Sequence, residues 1–210
     1  RNLVRVYSGS ALWAAAAISL FPAAASAQTI TGWNVGSGRW ETGANWSGGI
    51  SPSSNYTVFV TNTATKTVTI DLTTTTNSGG IHMTVSNLTV SAPVSSTNTL
   101  SLNNAGNTTP LRILNAATIS TGGALLVTNS AFKVDGLGGG DFRIDGSVTL
   151  ADGRSTIVSN NNIATVIGNA GSGSLTVFGG SMVVSLLRVG NVAGSRGTVT
   201  ASGGTITSIA

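Results

Sequence analysis

The C-terminal part of the chain contains one pattern twice, between residues 167 and 207, where the sequence is IGNAGSGSLTVFGGSMVVSLLRVGNVAGSRGTVTASGGTIT. Ile167-Gly168-Asn169 returns as Val189-Gly190-Asn191, and Leu175-Thr176-Val177 returns as Val199-Thr200-Ala201. The distance along the chain from Leu175 to Val199 is slightly longer than that from Ile167 to Val189, so the second copy carries a short insertion at the turn. A repeat of this length, built from short β-favouring runs and glycine-rich turns, indicates a stack of coils.

The rest of the chain from Tyr56 onward has the same kind of composition and the same alternation of strand-forming runs and turns. Short runs rich in Thr, Val and Ile alternate with Gly, Asn, Ser and Asp, and no window shows sustained helical periodicity. Period-two alternation is typical of strands that bury one side, and branched β-carbons pack well there. We therefore predict an all-β, right-handed parallel β-solenoid (β-helix) with short irregular coils of about 22–24 residues. Leu175 and Val177 should point inward, and Thr176 outward.

Three Asp-Gly pairs in the middle of the chain favour an alternative architecture. They are Asp135-Gly136, Asp145-Gly146 and Asp152-Gly153. Asp-Gly is a strong signal for a two-residue β-hairpin, as in an antiparallel sandwich. The two architectures differ in strand direction, because hairpin strands pair antiparallel, whereas successive coils of a solenoid pair in parallel.

Composition excludes several classes of protein. Only 8% of the residues are charged, and the chain contains no Cys and one His. A disulfide scaffold, thiol chemistry and a zinc cluster are therefore excluded, and a helix bundle is disfavoured. The net charge is +4, but the eight cationic residues after residue 27 are scattered singly. Because nucleic-acid binding needs clustered cations, we expect no nucleic-acid partner.

The first 27 residues have the pattern of an export signal. Two arginines precede an apolar run at residues 11–21, and Ala25, Ser26 and Ala27 form an A-x-A cleavage site. The apolar run is shorter than the roughly 20 residues that a membrane-spanning helix needs. We expect a signal peptide at residues 1–27, cleavage before Gln28, and an exported mature segment that is not inserted in a membrane.

Three tryptophans, Trp33, Trp40 and Trp46, follow this predicted signal. Bulky aromatic side chains would cover the apolar end and the unpaired strand edge of the first coil. The same rings could instead stack on sugars. We predict a structural N-terminal cap at residues 28–60 and solenoid repeats at residues 61–210, which we expect to continue past the last residue.

The tryptophan segment also carries a resemblance. The chain resembles exported bacterial proteins that carry autotransporter-associated β-strand repeats or a PEP-CTERM sorting signal. The resemblance lies in Gly38-Arg39-Trp40, in Asn45-Trp46-Ser47-Gly48-Gly49 and in the segments at residues 171–177 and 202–207. The resemblance implies a structural or adhesive passenger, secreted or displayed at the bacterial cell surface, with no catalytic activity. The partners implied are extracellular polysaccharide and host or neighbouring cell surfaces. The open end of a solenoid would also permit self-association.

Two other functions remain open. A carbohydrate-active β-helix protein that cleaves polysaccharide would need paired carboxylates, such as Asp141 with Asp145 or Asp145 with Asp152. The glycine-rich stretch from Asp135 to Asp145 approximates one copy of a calcium β-roll repeat, with Leu137 replacing a glycine. Asp is also an ordinary turn residue. We expect turn roles for these acids, no catalytic residue, no cofactor and no metal, and a structural role for His82.

Threonine-rich runs form a further candidate site. Thr67-Val68-Thr69 and the run from Thr73 to Thr76 have the composition of a ladder that binds ice. Such a ladder needs threonine at one position in every coil, and the sequence repeat does not keep it there. The sequence therefore predicts no ladder.

Overall fold

The computed structural model describes residues 27–209, which form a β-solenoid of about seven turns. The strands are β1 (Thr29–Gly32), β2 (Gly38–Arg39), β3 (Tyr56–Val60), β4 (Lys66–Ile70), β5 (Thr84–Val85), β6 (Asn87–Val90), β7 (Asn98–Ile113), β8 (Ala117–Ile119), β9 (Gly123–Val134), β10 (Phe142–Ile144), β11 (Ser147–Leu150), β12 (Thr156–Ile167), β13 (Ser172–Val177), β14 (Ser181–Val189), β15 (Arg196–Ala201) and β16 (Thr205–Ser208). The helical elements are α1 (Leu72–Thr76) and two 3-10 helices, Gly43–Asn45 and Asn77–Met83.

The strands form three stacks that surround one core. The first stack contains β1, β3, β6, β8, β10 and the ends of β12 and β14. The second contains β2, β4, the starts of β7 and β9, then β11, β13 and β15. The third contains β5, the ends of β7 and β9, the starts of β12 and β14, and β16. The long strands bend from one stack into the next.

Strand direction confirms the parallel solenoid, and the antiparallel alternative is wrong. Every pairing between the named strands of the described chain is parallel, and the antiparallel contact is an isolated bridge between Trp33 and Trp46. The three Asp-Gly pairs lie at corners of the solenoid: Asp145-Gly146, for example, separates β10 from β11. Each strand pairs with a strand one coil away, so a turn of this kind makes no hairpin.

The repeat seen in the sequence is also the structural register. Ile167 pairs with Val189 and Leu175 pairs with Val199, so each residue lies beside its counterpart in the second copy. The predicted length of about 22–24 residues per coil thus holds for the last coils. Coils nearer the N-terminus are longer, since the register partner of Thr67 is Thr99. The extra residues lie in α1 and in the 3-10 helix Asn77–Met83.

The helix α1 replaces a run that the sequence analysis treated as strand-like. Asp71 caps it, because its side chain accepts a hydrogen bond from the backbone N–H of Thr73 at 2.8 Å. In return the backbone N–H of Asp71 donates to the Thr74 hydroxyl at 3.2 Å. This reciprocal capping box satisfies donors that would otherwise be orphaned at the helix start. The threonines from Thr73 to Thr76 therefore cannot extend a strand ladder.

Side chains that point inward stack in columns along the solenoid. One column runs through Val68, Leu100, Leu125, Val148 and Leu175, all buried. Val177 is also buried, while Thr176 between the two inward residues of β13 is half-buried on the outside, which confirms the predicted alternation. Burying each apolar side chain against its neighbours in adjacent coils is the main stabilising contribution in a stack of this kind.

Glycine occupies one corner, between the first and second stacks, in four coils. These residues are Gly123, Gly146, Gly173 and Gly197. A Cβ atom at Gly173 would lie 1.8 Å from the backbone oxygen of Ile144, and one at Gly123 would lie 2.1 Å from that of Val90. The chain therefore passes too close to the preceding coil for any side chain, which explains why the column contains glycine.

We expect Gly173→Ala to lower the free energy of unfolding by about 1–3 kcal/mol, since an overpacked site must displace its surroundings. Here the obstructing atom is a backbone oxygen, which cannot rotate away. Urea denaturation followed by circular dichroism measures the loss. Gly153→Ala is the matched control, because no atom lies within 4 Å of the added Cβ. Equal stability of the two variants would contradict the corner assignment.

Candidate functional site

The three tryptophans pack together at the N-terminal end of the core. Trp46 contacts both of the others, with ring centroids 4.9 Å from Trp33 and 4.9 Å from Trp40, in edge-to-face geometry. Their exposed fractions are 3%, 0% and 2% for Trp33, Trp40 and Trp46. Edge-to-face pairs add stabilisation beyond their buried area. No ring of this cluster presents a face to solvent on which a sugar could stack.

Backbone and indole hydrogen bonds connect the cluster to the second coil. The backbone N–H of Trp33 donates to Phe59 at 2.8 Å, and that of Trp40 donates to Thr69 at 3.0 Å. The indole N–H groups donate to the backbone oxygens of Gly36, His82 and Trp40, at 2.7, 2.8 and 2.8 Å. All three buried donors are thus satisfied, as buried polar groups must be. The geometry supports the structural cap over sugar binding.

His82 takes part in the same region through its backbone and ring. Its backbone oxygen accepts from Trp40, and its Nδ1 atom lies 3.0 Å from the backbone oxygen of Pro52. These contacts connect the 3-10 helix to the tryptophan cluster and to the loop before β3. They are the contacts of a residue that positions backbone, in agreement with the structural role expected for it.

The predicted cleavage site lies at the boundary of the described residues. Ala25 is outside them, and the structure begins at Ala27. The Gln28 side chain donates to the Ser86 hydroxyl, and the backbone N–H of Thr29 donates to Asn55 at 3.0 Å. Gln28 and Thr29, the first two residues of the expected mature chain, therefore both contact the solenoid.

The carboxylates of the middle segment hold turns of neighbouring coils. Asp145 accepts hydrogen bonds from the backbone N–H groups of Asn169, Ala170 and Gly171 at 2.6, 3.0 and 3.0 Å. Asp152 accepts from the backbone of Asn129 and from its own turn. Burial by itself raises the pKa of Asp152, but these hydrogen bonds lower it below its ordinary value.

The two candidate carboxylate pairs for glycoside hydrolysis are separated by strands: Asp141 and Asp145 by β10, and Asp145 and Asp152 by β11. Asp141 and Asp145 flank the two ends of β10, which places their Cα atoms about 13 Å apart in an extended strand. Asp141 contacts Arg143 at 3.3 Å and the backbone N–H of Ala164 at 3.3 Å, so it and Asp145 serve different turns. Hydrolytic pairs lie roughly 5–9.5 Å apart. The described residues also enclose no pocket.

Asp135 is the most deeply buried carboxylate of the group. It is 3% exposed and pairs with both Arg112 and Lys133, whose Nζ atom lies 3.1 Å from a carboxylate oxygen. Burial raises the pKa of Asp135, but the hydrogen bonds and charges of these two cations outweigh it and lower the pKa. Two adjacent cations disfavour calcium at this carboxylate. In residues 27–209 no group of three or more Asp, Glu or His residues is arranged to hold a metal ion.

The lowered pKa of Asp135 predicts a pH-dependent contribution to stability. A folded-state pKa below the unfolded value, about 3.9, stabilises the protein above that value, and the contribution is lost as pH falls through the folded-state pKa. We expect Asp135→Asn to be less stable than the wild type at pH 6, with the difference shrinking as the pH falls below the unfolded-state pKa and through the lowered folded-state pKa. Thermal melts across this range measure it.

Asp141→Asn is the control for that experiment, because its ion pair with the half-exposed Arg143 is worth about 0–1 kcal/mol. Its difference from the wild type should be small throughout the range. A deficit of Asp135→Asn that stays constant with pH would show that the pair with Arg112 and Lys133 does not carry the effect.

The structure also aligns hydroxyl residues that the sequence analysis did not connect. On the outside of the second stack, two columns of residues run from β4 to β15, and we call them the hydroxyl columns. The first contains Thr67, Thr99, Ala124, Ser147, Ser174 and Thr198. The second contains Thr69, Ser101, Leu126, Thr149, Thr176 and Thr200. Ten of these twelve positions carry a hydroxyl group, but threonine occupies only seven of them and neither column has it in every coil. The columns are therefore a mixed array of threonine and serine, and the strict threonine ladder is absent, as the sequence predicts.

Unequal coil lengths hid these columns in the sequence. The spacing is largest between Thr67 and Thr99, smaller between Ser147 and Ser174, and smaller again between Ser174 and Thr198. A search at one fixed period misaligns such residues. The available signal was the local motif of two hydroxyl residues that flank one apolar residue, which occurs at Thr67-Val68-Thr69 and recurs in the later coils.

Comparisons with known proteins give no match for this chain. No family model matches the chain, and neither a curated protein nor a solved structure matches it. Within the described range, no helix has the length and apolar character needed to cross a membrane.

Proposed function

We propose that this chain is an exported structural or adhesive module, a β-solenoid passenger that acts at or outside the bacterial cell surface and has no catalytic activity of its own. The observation that carries the proposal is the surface of the stack. Its outward strand positions are mostly small and uncharged, and its carboxylates are engaged in turns and ion pairs. A stack of this kind provides an extended scaffold whose outer surface repeats from coil to coil.

The export step of this proposal rests on the sequence pattern at residues 1–27. β1 begins at Thr29, so removal of residues 1–27 leaves the first coil intact. Extracellular polysaccharide and host or neighbouring cell surfaces are the partners we propose for the outward faces.

The export step is tested by producing the full chain in a bacterium and determining the N-terminus of the protein recovered outside the cytoplasm. The expected mature chain begins at Gln28. Ala27→Phe should block processing, because a small residue is required next to the cleaved bond. Ser26→Phe is the matched control, since the intervening position of the A-x-A site is not restricted. Equal processing of the two variants, or retention of the wild type in the cytoplasm, would contradict export.

Adhesion and catalysis are separated with the purified chain. Beads coated with it should be retained on immobilised bacterial polysaccharide or on cells more strongly than beads coated with albumin. Incubation with the same polysaccharides should release no reducing ends. Release that Asp145→Asn abolishes would overturn the proposal in favour of the carbohydrate-active alternative. Absence of both retention and release would contradict the adhesive part of the proposal.

A further inference from the structure

The hydroxyl columns form a regular two-dimensional array on the second stack. Neighbouring strands of a sheet lie about 4.7–4.9 Å apart, and alternate residues of one strand lie about 6.6 Å apart. The columns stay in line through six coils, because the shift in register between β7 and β9 begins only after Asn103, beyond both columns. The ten hydroxyl groups therefore repeat at two short, fixed distances.

These hydroxyl groups are available to a ligand. Among residues 27–209 none of the ten side chains takes part in a hydrogen bond. Ser101 is the clearest case: only 9% of the residue is exposed, yet its side chain, in the second column between Thr69 and Leu126, has no partner in the described chain. The fully buried side-chain atoms without a partner in the described chain are Asn62 Oδ1, Asn98 Oδ1, Ser159 Oγ and Thr165 Oγ1, so the Ser101 hydroxyl is still reached by water. A ligand on this face would replace that water at an otherwise unpaired hydroxyl group.

Charge is sparse on this face and confined to its ends: Arg39 is the register partner of Thr69 at the N-terminal end, and Arg196 lies two residues before Thr198 in the last coil. None of the twelve positions of the hydroxyl columns is charged. The outward column of the first stack includes Arg143 and Arg188, and that of the third stack includes Arg112 and Lys133. An uncharged array complements an uncharged ligand, whereas exposed cations hold their own hydration shells.

The required ligand repeats in two directions, is uncharged, and both donates and accepts hydrogen bonds. Sites for small molecules are concave and lined with aromatic side chains, but this face is an open sheet surface without an aromatic ring in either column. We propose that the hydroxyl columns bind the surface of ice. Each water molecule of an ice lattice donates and accepts hydrogen bonds, and the lattice repeats in two directions. Seven of the ten hydroxyl residues are threonine, whose χ1 angle is restricted, and this limits the positions that their hydroxyl groups can take.

The inference does not depend on the proposed adhesive function, since the purified full chain tests it in solution. The measurement is the fraction of protein taken up by a slowly growing ice surface, with inhibition of ice recrystallisation as a second readout. Thr149→Lys combined with Thr176→Lys places two cations on adjacent coils of the columns. Thr89→Lys combined with Thr118→Lys is the matched control, because these threonines are register partners on the outside of the first stack.

We expect the wild type and the control pair to enter ice, and the Thr149 and Thr176 pair to be excluded from ice as albumin is. Circular dichroism and thermal melts verify that both pairs are folded. Ala124→Thr combined with Leu126→Thr fills the two gaps in the columns and should increase both readouts. This variant keeps the test decisive should the lysine pair fail to fold.

Three results would overturn the inference. In the first, the wild type is excluded from ice to the same extent as albumin. In the second, both folded lysine pairs lose uptake equally, which would mean that the effect of charge is not specific to this face. In the third, the wild type is excluded from ice but sediments with crystalline cellulose or chitin in a manner that the Thr149 and Thr176 pair abolishes, which would assign the face to a polysaccharide.

Discussion

Val177→Asp is expected to unfold the coils around β13. Val177 is fully buried in an inward column, where its register partners are Leu150 in the preceding coil and Ala201 in the following one. A buried charge without a partner is destabilising by about 3–5 kcal/mol. Because each coil of a solenoid is stabilised by its neighbours, the damage should spread from β13 to β11 and β15. Hydrogen exchange resolved by segment measures it.

Thr176→Asp is the control for this experiment, because it introduces the same charge at the adjacent residue. Thr176 is half-buried on the outside of the same strand, and water can solvate the added carboxylate. We expect a change in stability within about 0.5 kcal/mol, as for most surface substitutions. Equal damage from both substitutions would contradict the inward and outward assignment of β13.

Trp46→Ala is expected to loosen the N-terminal end of the stack by about 3–5 kcal/mol, the range for truncation of a large buried aromatic residue. Trp46 is the central member of its cluster and contacts the rings of Trp33 and Trp40. Its loss should speed hydrogen exchange at the backbone N–H groups of these two residues, which bond to the second coil. Exchange in β13 and β15 should be unchanged, since those strands lie several coils away.

Phe178→Ala is the matched aromatic control, because Phe178 is 60% exposed. It should leave the stability of the first coil unchanged. A Trp46→Ala variant that kept full stability but lost retention on polysaccharide would show that the cluster serves a ligand and not the end of the core.

Local sequence patterns were sufficient to predict the strands and the register of the last coils. The alternation at Leu175-Thr176-Val177 predicts burial because side chains of a strand point to opposite sides with period two. The repeat from residue 167 to residue 207 predicts the register there, since these coils have nearly equal lengths. The tryptophans could be identified as a group from their spacing. Their edge-to-face contacts and the position of His82 beside them could not, because these depend on segments that are distant in the chain.

The carboxylates at the turns also show which features local sequence predicts and which depend on the fold. Asp145 next to glycine is recognisable as a turn residue from the sequence alone. Its actual partners, the N–H groups at residues 169–171, belong to the next coil. The helix α1 was missed because a run of threonines has weak helical propensity, and the Asp71 capping box decides its conformation.

Local sequence is enough to establish that this chain is an all-β stack with an alternating inside and outside, because strand periodicity and turn chemistry act over a few residues. Which outward residues share a face depends instead on how the coils pack in three dimensions. Coils of unequal length accommodate their extra residues in turns and in short helices, while the buried columns and the close-packed glycine corner keep the strands in register. For that reason Thr67 and Thr200, far apart in the chain, belong to one array of hydroxyl groups, which no single repeat length reveals.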